Sequence, residues 1–396
     1  MAGARIVPVI MAGGASSRLW PASDRQKPKW NLRLFGTRSL LEQAWQRARA
    51  VAPAADCYVV AGVAQAALAR RSLRELPARN LLVEPLPRDT AGAIALAAGA
   101  ISRRVAADIS PRSTRRPQIR TQTTAPVSCS SCSSWFNPVM LVLPGDHIIQ
   151  PLSRFKECVL AGARAAKEQD TLVTFGILPR RPATAYGYVQ CGPEIRLAGA
   201  KRGAPRVYQA LGFREKPDLR TARRYVASGH HYWNGGIFLW TLAALTAEFE
   251  RQLPGHAAFI RALAACPRGG RGERALQATV RRAFPALRKI SVDFGIMEHA
   301  RRVATVAADF AWDDIGSWSA VAEHLDRTTG NAIGPGTDVI AVGARSNVVL
   351  APGKRVALVG VEGLAVVDSD GCILVCRLDR DQDVKKASEL AFRRRI

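Results

Sequence analysis

Over its first hundred residues the chain alternates short apolar runs with longer helical patterns, and this alternation limits the possible folds more than any other feature. IVPVIM, CYVVAG and LLVEP have the length and β-branched content of strands, whereas SLLEQAWQRARA and TAGAIALAAGAIS carry apolar residues at helical spacing. Repeated strand–helix–strand units predict a mostly parallel sheet covered by helices. The texture resumes further on. VMLVLPGDHII reads as a strand running into a turn, FKECVLAGARAAKEQ as a helix and TLVTFGI as a strand, followed by strands in TAYGYVQC, VYQALGFREKP and GGIFLW. Helices fill 242 to 285, and the strand RVATVAA leads into the loop DFAWDDIGSW.

Two stretches break the pattern. Residues 102 to 137 are rich in Ser, Thr, Arg and Pro and poor in aliphatic side chains, so most of the stretch reads as a flexible insertion. Beyond about residue 330, TDVIAVGA, NVVLAP, RVALVGV, LAVVDSD and CILVCRL are five short β units about ten residues apart, closed by the helix DVKKASELAF. The expected organisation is therefore a large α/β domain over 1–325 and a small β-rich domain over 326–396.

Composition removes several classes of function. With 396 residues and 48% hydrophobic content, the chain can bury two or three domain cores. No apolar run reaches the roughly 18 to 20 residues that span a bilayer, so no membrane role is expected. The start MAGARIVPVIMAGG lacks the layout of a secretion signal, which points to the cytoplasm. The net charge of +25 is spread through WQRARA, ARRSLREL, TARRY and VRRAF instead of forming one aromatic-studded basic face. That distribution argues against nucleic acid as partner and for a surface that concentrates anionic substrates. Eight cysteines in so long a chain do not make a disulfide framework, and the single C-x-x-C at Cys129 and Cys132 lacks a second ligand pair at zinc spacing.

Chemistry concentrates at strand ends. After IVPVIM the chain reads AGGASSRLWPASDRQKPK, where Gly13 and Gly14 permit a sharp turn that brings amides near an anion. The spacing fits neither G-x-G-x-x-G nor G-x-x-x-x-G-K-[ST]. Arg18 and Lys29 would add a bidentate fork and a point charge for a polyphosphate. Asp146 and Asp314 follow at the ends of two other strands. Each alone fits a turn former or helix cap, but together with the glycine turn they suit a Mg²⁺–nucleoside triphosphate site.

At this point the sequence resembles the sugar-nucleotide pyrophosphorylases, in particular the mannose-1-phosphate guanylyltransferase family. The stretches that carry the resemblance are PVIMAGGASSRLWPASDRQKPK, EPLPRDTAGAIALAA, VLPGDHII, FGILPRRPATAYGYVQ, FREKPDLRTARRYVASG, WNGGIFLW, ISVDFGIMEHA, FAWDDIGSW and DRDQDVKKASEL. They stand in the family's order and span nearly all of the chain outside 102–137. The resemblance implies a three-layer, Rossmann-like (GT-A-like) nucleotidyltransferase domain with a small C-terminal β-helix-like domain. It implies transfer of GMP from GTP to mannose 1-phosphate, with Mg²⁺ as cofactor.

Residue by residue, it makes Gly13, Gly14 and Arg18 the triphosphate cradle and Lys29 the cation facing departing pyrophosphate. Arg88, Thr90 and Gly145 belong to nucleotide binding, and Asp146 and Asp314 to the metal. Gly187, Glu215, Lys216 and Asn234 line the sugar phosphate. It also suggests a homodimer, and guanylyltransferase activity without the isomerase domain of longer relatives. Departures from the family pattern are Ser16 for a glycine, Asn31 for a bulky apolar residue, Asp89 for asparagine, Gly92 for proline and Gly235 for serine. They leave open the same chemistry on another sugar 1-phosphate such as a heptose, or a sugar-nucleotide-binding regulator without activity.

Overall fold

The computed structural model describes residues 4–14, 17–24, 26–108, 137–200 and 202–393. Strand β1 (Ile6–Ala12) is flanked by β2 (Tyr58–Gly62) and β4 (Val139–Pro144), with β3 (Leu81–Glu84) at the edge, all parallel. After β5 (Ile148–Gln150), the chain adds β6 (Leu172–Ile177), β7 (Tyr188–Glu194), β8 (Val207–Arg214), β9 (His231–Thr241) and β10 (Val303–Ala308). The nine-stranded sheet runs β3-β2-β1-β4-β9-β6-β10-β8-β7. It is mixed, not mostly parallel as the alternation predicted: β9 lies antiparallel between β4 and β6, and the β7–β8 ribbon joins antiparallel to β10 and β9. The reason lies in the connections. The described residues between β7 and β8 hold no helix, so those two strands join as an antiparallel ribbon.

Alternate residues of β1 feed two cores. Ile6, Ile10 and Ala12 face the Leu40–Arg49 and Leu152–Glu168 helices through Leu41, Trp45, Phe155 and Val159. Val7 and Val9 face the helices Asp89–Asp108, Leu242–Gln252 and Pro254–Ala264 through Ile94, Phe249 and Leu263. This period-two division makes the three layers. The Asp89–Asp108 helix carries the described chain past residue 101, so 102–108 are helical and not part of an insertion. The rest of the expected insertion, 109–136 with Cys129 and Cys132, lies outside the described residues, as do Ser16 and Arg25.

The stretch expected as one loop, DFAWDDIGSW, instead holds β11 (Ala311–Asp313), paired with β5, and the start of the helix Trp318–Ala322. The C-terminal unit comprises β12 (Arg327–Thr328), β13 (Asn331–Ile333), β14 (Asp338–Val342), β15 (Val348–Leu350), β16 (Arg355–Val359), β17 (Leu364–Ser369) and β18 (Cys372–Arg377). Ala332, Val348 and Ala365 stack in one parallel ladder and Asp338 and Arg355 in another. The ten-residue spacing read from the sequence is thus strand to strand, with two strands in each coil of a β-helix-like stack. Buried Asn331 and Asn347 bond one coil to the next at 2.9 Å.

A third core joins this unit to the large domain. Leu19, Leu40, Trp318 and Val321 pack with Val348, Ala365, Val367 and Val384, all buried. Each such aliphatic side chain contributes roughly 1.5–3 kcal/mol when removed from water. The turn after β1 therefore rests on the C-terminal unit.

Candidate active site

The site forms where β1, β4 and β11 end. Gly14 has φ +97°, a conformation that disfavours any side chain, and the chain then enters the short turn Ser17–Leu19. Gly145 donates its N–H to the Met11 carbonyl at 3.1 Å, and a Cβ there would stand 2.9 Å from that oxygen. Close approach, not a special φ, calls for glycine at this position. A cavity of about 590 Å³ opens above these strand ends, with Gly13, Gly14, Arg18, Lys29, Asp146 and Asp314 in its wall.

Lys29 is almost fully buried, and its ammonium donates to Asp146 Oδ2 at 2.8 Å and to the Asp314 backbone carbonyl. Burial alone would raise the Asp146 pKa, but the charges of Lys29 and His147 outweigh it and hold the carboxyl below its usual range. Burial keeps the His147 imidazole below its ordinary value against the pull of Asp146. Under the site, buried Arg47 donates to the His147 carbonyl at 2.9 Å, its pKa lowered by burial to about 10. Asp314 accepts from the Tyr186 hydroxyl at 2.9 Å. Burial, then the Asp314 charge, push the Tyr186 phenol pKa up, so it remains a donor. Arg18 has no hydrogen bond or ion pair among the described residues, and its guanidinium lies beside Gly316. A free guanidinium and two carboxylates about one glycine turn suit a phosphate chain with a hard cation.

The residues expected to line the sugar phosphate form an adjoining cluster. Tyr186 packs edge-on against Trp233 and Trp312, and Trp312 against His147, so one aromatic wall joins the halves. A Cβ on Gly187 would collide with Glu215 Oε2. Lys216, with φ +45°, pairs with Glu215 at 2.5 Å just before Asp218 caps the helix Leu219–Ser228. Asn234 accepts from Thr174 at 2.7 Å and donates to Asp293 at 2.8 Å. Asp293 was not singled out by sequence, although it stands in ISVDFGIMEHA. Burial, then the nearby Glu215 charge, push its pKa up to about 6.

Arg88 and Thr90 do not line the cavity. Arg88 donates to the Pro285 carbonyl and Thr90 Oγ1 accepts from Val292 N–H at 2.8 Å, so both grip the segment that carries Asp293. Two departures have local reasons. Asp89 adopts φ +62°, which Asn and Asp tolerate best, and its carboxylate accepts from the Thr90 N–H. Gly235 lies where a Cβ would approach the Phe175 carbonyl to 3.0 Å.

The family model described as "Nucleotidyl transferase" matches residues 7–109 and 127–330, and that described as "MannoseP isomerase/GMP-like beta-helix domain" matches 337–389. The chain is 34% identical over 384 residues to the xanthan biosynthesis protein XanB of Xanthomonas campestris pv. campestris strain B100, covering 96% of this chain and 72% of that one. It is 34% identical over 403 residues to a mannose-1-phosphate guanylyltransferase of Escherichia coli K12, covering 98% and 74%. The chain belongs to the mannose-1-phosphate guanylyltransferase family of nucleotidyl transferases. A solved structure from Thermus thermophilus, described as a mannose-1-phosphate geranyltransferase, superposes with TM-score 0.78 at 30% identity, over 98% of this chain and 99% of that one. In this nucleotidyl transferase, the turn, cations and carboxylates described above fall inside the larger matched domain. The smaller one takes in β14 to β18 and the first part of the helix that follows, as far as residue 389.

Proposed function

We propose that this chain transfers GMP from GTP to mannose 1-phosphate, giving GDP-mannose and pyrophosphate. The observation that carries the reading is the gathering of Arg18, Lys29, Asp146 and Asp314 around the Gly13–Gly14 turn in a member of this family. A phosphate oxygen of mannose 1-phosphate attacks the α-phosphorus of GTP, and the bond from that phosphorus to the bridging oxygen of pyrophosphate breaks. No side-chain nucleophile is needed. The protein's task is to align the two phosphates and offset charge on the leaving group. Arg18 would offer its free guanidinium to the triphosphate, and Lys29, held at Asp146, would neutralise the departing oxyanion.

Nucleotidyl transferases of this family generally use a divalent metal, and in our reading Asp146 and Asp314 would hold Mg²⁺, which would offset phosphate charge and polarise the α-phosphoryl group. The donor set fits, because Asp146 and Asp314 line the same cavity and Mg²⁺ takes one or two protein carboxylates besides substrate phosphates. On the sugar side, Glu215 and Asp293 supply acceptors for hydroxyls and Lys216 a charge for the sugar phosphate. Arg88, Thr90 and Gly145 shape the nucleotide loop. We place the reaction in the cytoplasm, carried out by a homodimer, and the outward-facing Ile340, Val342 and Val359 on β14 and β16 support a self-association surface.

The test is pyrophosphate release with Mg²⁺ and mannose 1-phosphate, comparing GTP with ATP, UTP and CTP, and running heptose 1-phosphate in parallel. Release that requires GTP and mannose 1-phosphate is expected, and Lys29→Ala should lower kcat by roughly 10²–10³-fold, the loss typical of one charge-stabilising group. Binding of GDP-mannose with no turnover of any nucleotide would make the chain a regulator instead.

A further inference from the structure

The charged wall of the site is not drawn from the large domain alone. The C-terminal helix Val384–Arg393 packs its first residue, Val384, into the third core against the region of Leu19 and Trp318. Just before it, buried Asp381 accepts from Ser319 twice, at its N–H (3.0 Å) and its hydroxyl (2.6 Å). Ser319 lies in the helix that follows Asp314. On the other flank, Lys27, two residues before Lys29, pairs with Asp370 in the turn between β17 and β18. The start of the C-terminal helix is thus fixed against the same two segments that carry the Gly13–Gly14 turn and Asp314.

Lys385, the second residue of that helix, lines the cavity with Arg18 and Lys29. Its ion pair with Glu389 is loose, at 4.0 Å, and its side chain is largely exposed. Its neighbour Lys386 behaves differently: it is bound to Asp383 at 2.9 Å and does not line the cavity. Only one of the two adjacent lysines is therefore placed to serve a ligand there. The cavity already offers Asp146 and Asp314 to a cation, so an added mobile ammonium at its edge suits the oxygens of a polyphosphate.

We propose that Lys385 is a substrate-binding residue for the terminal phosphates of the nucleoside triphosphate and for the pyrophosphate they become, so that the C-terminal unit completes the active site. This rests on the nucleotidyl-transfer reading given above. A long flexible ammonium reaches phosphate as a point charge and tolerates the shift of those oxygens as the bond breaks. A sugar nucleotide has no third phosphate and gives Lys385 nothing to hold.

The experiment compares Lys385→Ala, Lys385→Arg and Lys386→Ala in the full chain. Inorganic pyrophosphate with Mg²⁺ is titrated into each by calorimetry, and GDP-mannose binding and thermal unfolding are measured alongside. Lys385→Ala should weaken pyrophosphate binding about tenfold, the worth of one charge-assisted contact. Its GDP-mannose affinity and unfolding temperature should match the parent. Lys385→Arg should restore most of the loss, and Lys386→Ala should leave pyrophosphate binding unchanged. In turnover assays, Lys385→Ala should raise KM for GTP more than it lowers kcat. Equal pyrophosphate affinity in parent and Lys385→Ala would overturn the proposal, as would an equal loss in Lys386→Ala, which would indicate only the general field of the helix. Because calorimetry needs no turnover, a chain that proved inactive with every nucleotide would refute the reaction and still decide the role of Lys385.

Discussion

Asp293 shows how a single residue can be chemically placed yet invisible to motif reading. In the sequence it sits in VDFG, where an acidic residue near a helix start has an ordinary explanation, and its partner Asn234 is 59 residues away. Folding buries it beside Glu215 and raises its pKa from 3.8 to about 6. Between those values the native protein holds a proton that the unfolded chain has released, so stability falls as pH rises through that window. Asp293→Asn removes the ionisation and keeps an acceptor for Asn234. Relative to the parent it should gain stability at pH 8 compared with pH 4.5, by at most about 3 kcal/mol. Denaturant unfolding at both pH values checks this, and a difference independent of pH would refute it. Lys29 and Asp146, by contrast, were legible. A lysine after a glycine turn and an aspartate at a strand end keep the same meaning wherever the chain places them, because open sheets gather ligands at strand ends.

Among the elements, the C-terminal helix and the turn before it gained most from being seen in place. DRDQDVKKASEL reads as a polar helix start, and nothing in its spacing says that Asp381 faces inward. In the fold its carboxylate is buried and satisfied by Ser319 and Gln382. Asp381→Ala would leave the Ser319 N–H and hydroxyl without their acceptor and should cost about 2–3 kcal/mol, read as a shift in urea midpoint without a change in slope. A loss under about 0.5 kcal/mol would mean that water replaces the carboxylate. The strands of the first half were legible as elements because alternation marks a pleated surface with a core on each side. The direction of β9 was not, since an apolar run such as GGIFLW fits a parallel or antiparallel neighbour equally well.

Across the whole molecule, the third core makes the C-terminal unit a support for the segment that follows the Gly13–Gly14 turn. A chain ending at residue 325 would keep Arg18, Lys29, Asp146 and Asp314 but uncover Leu19, Leu40, Trp318 and Val321. It should bind a hydrophobic dye in its native state and release no pyrophosphate, even where circular dichroism reports intact helices. Full turnover by the truncated chain would refute this dependence. Among the described residues no helix is long and apolar enough to cross a membrane. The sequence by itself determined the α/β class, the β-rich tail and the residue types that meet in one cavity at the strand ends, because periodicity and strand-end chemistry are local properties. Only the tertiary structure decided that β9 runs against its neighbours, that Asp293 shares Asn234 with Thr174, and that Lys385 lines the same cavity as Arg18. Those facts depend on which distant surfaces exclude water together, and packing between residues hundreds of positions apart leaves no periodic trace in the chain.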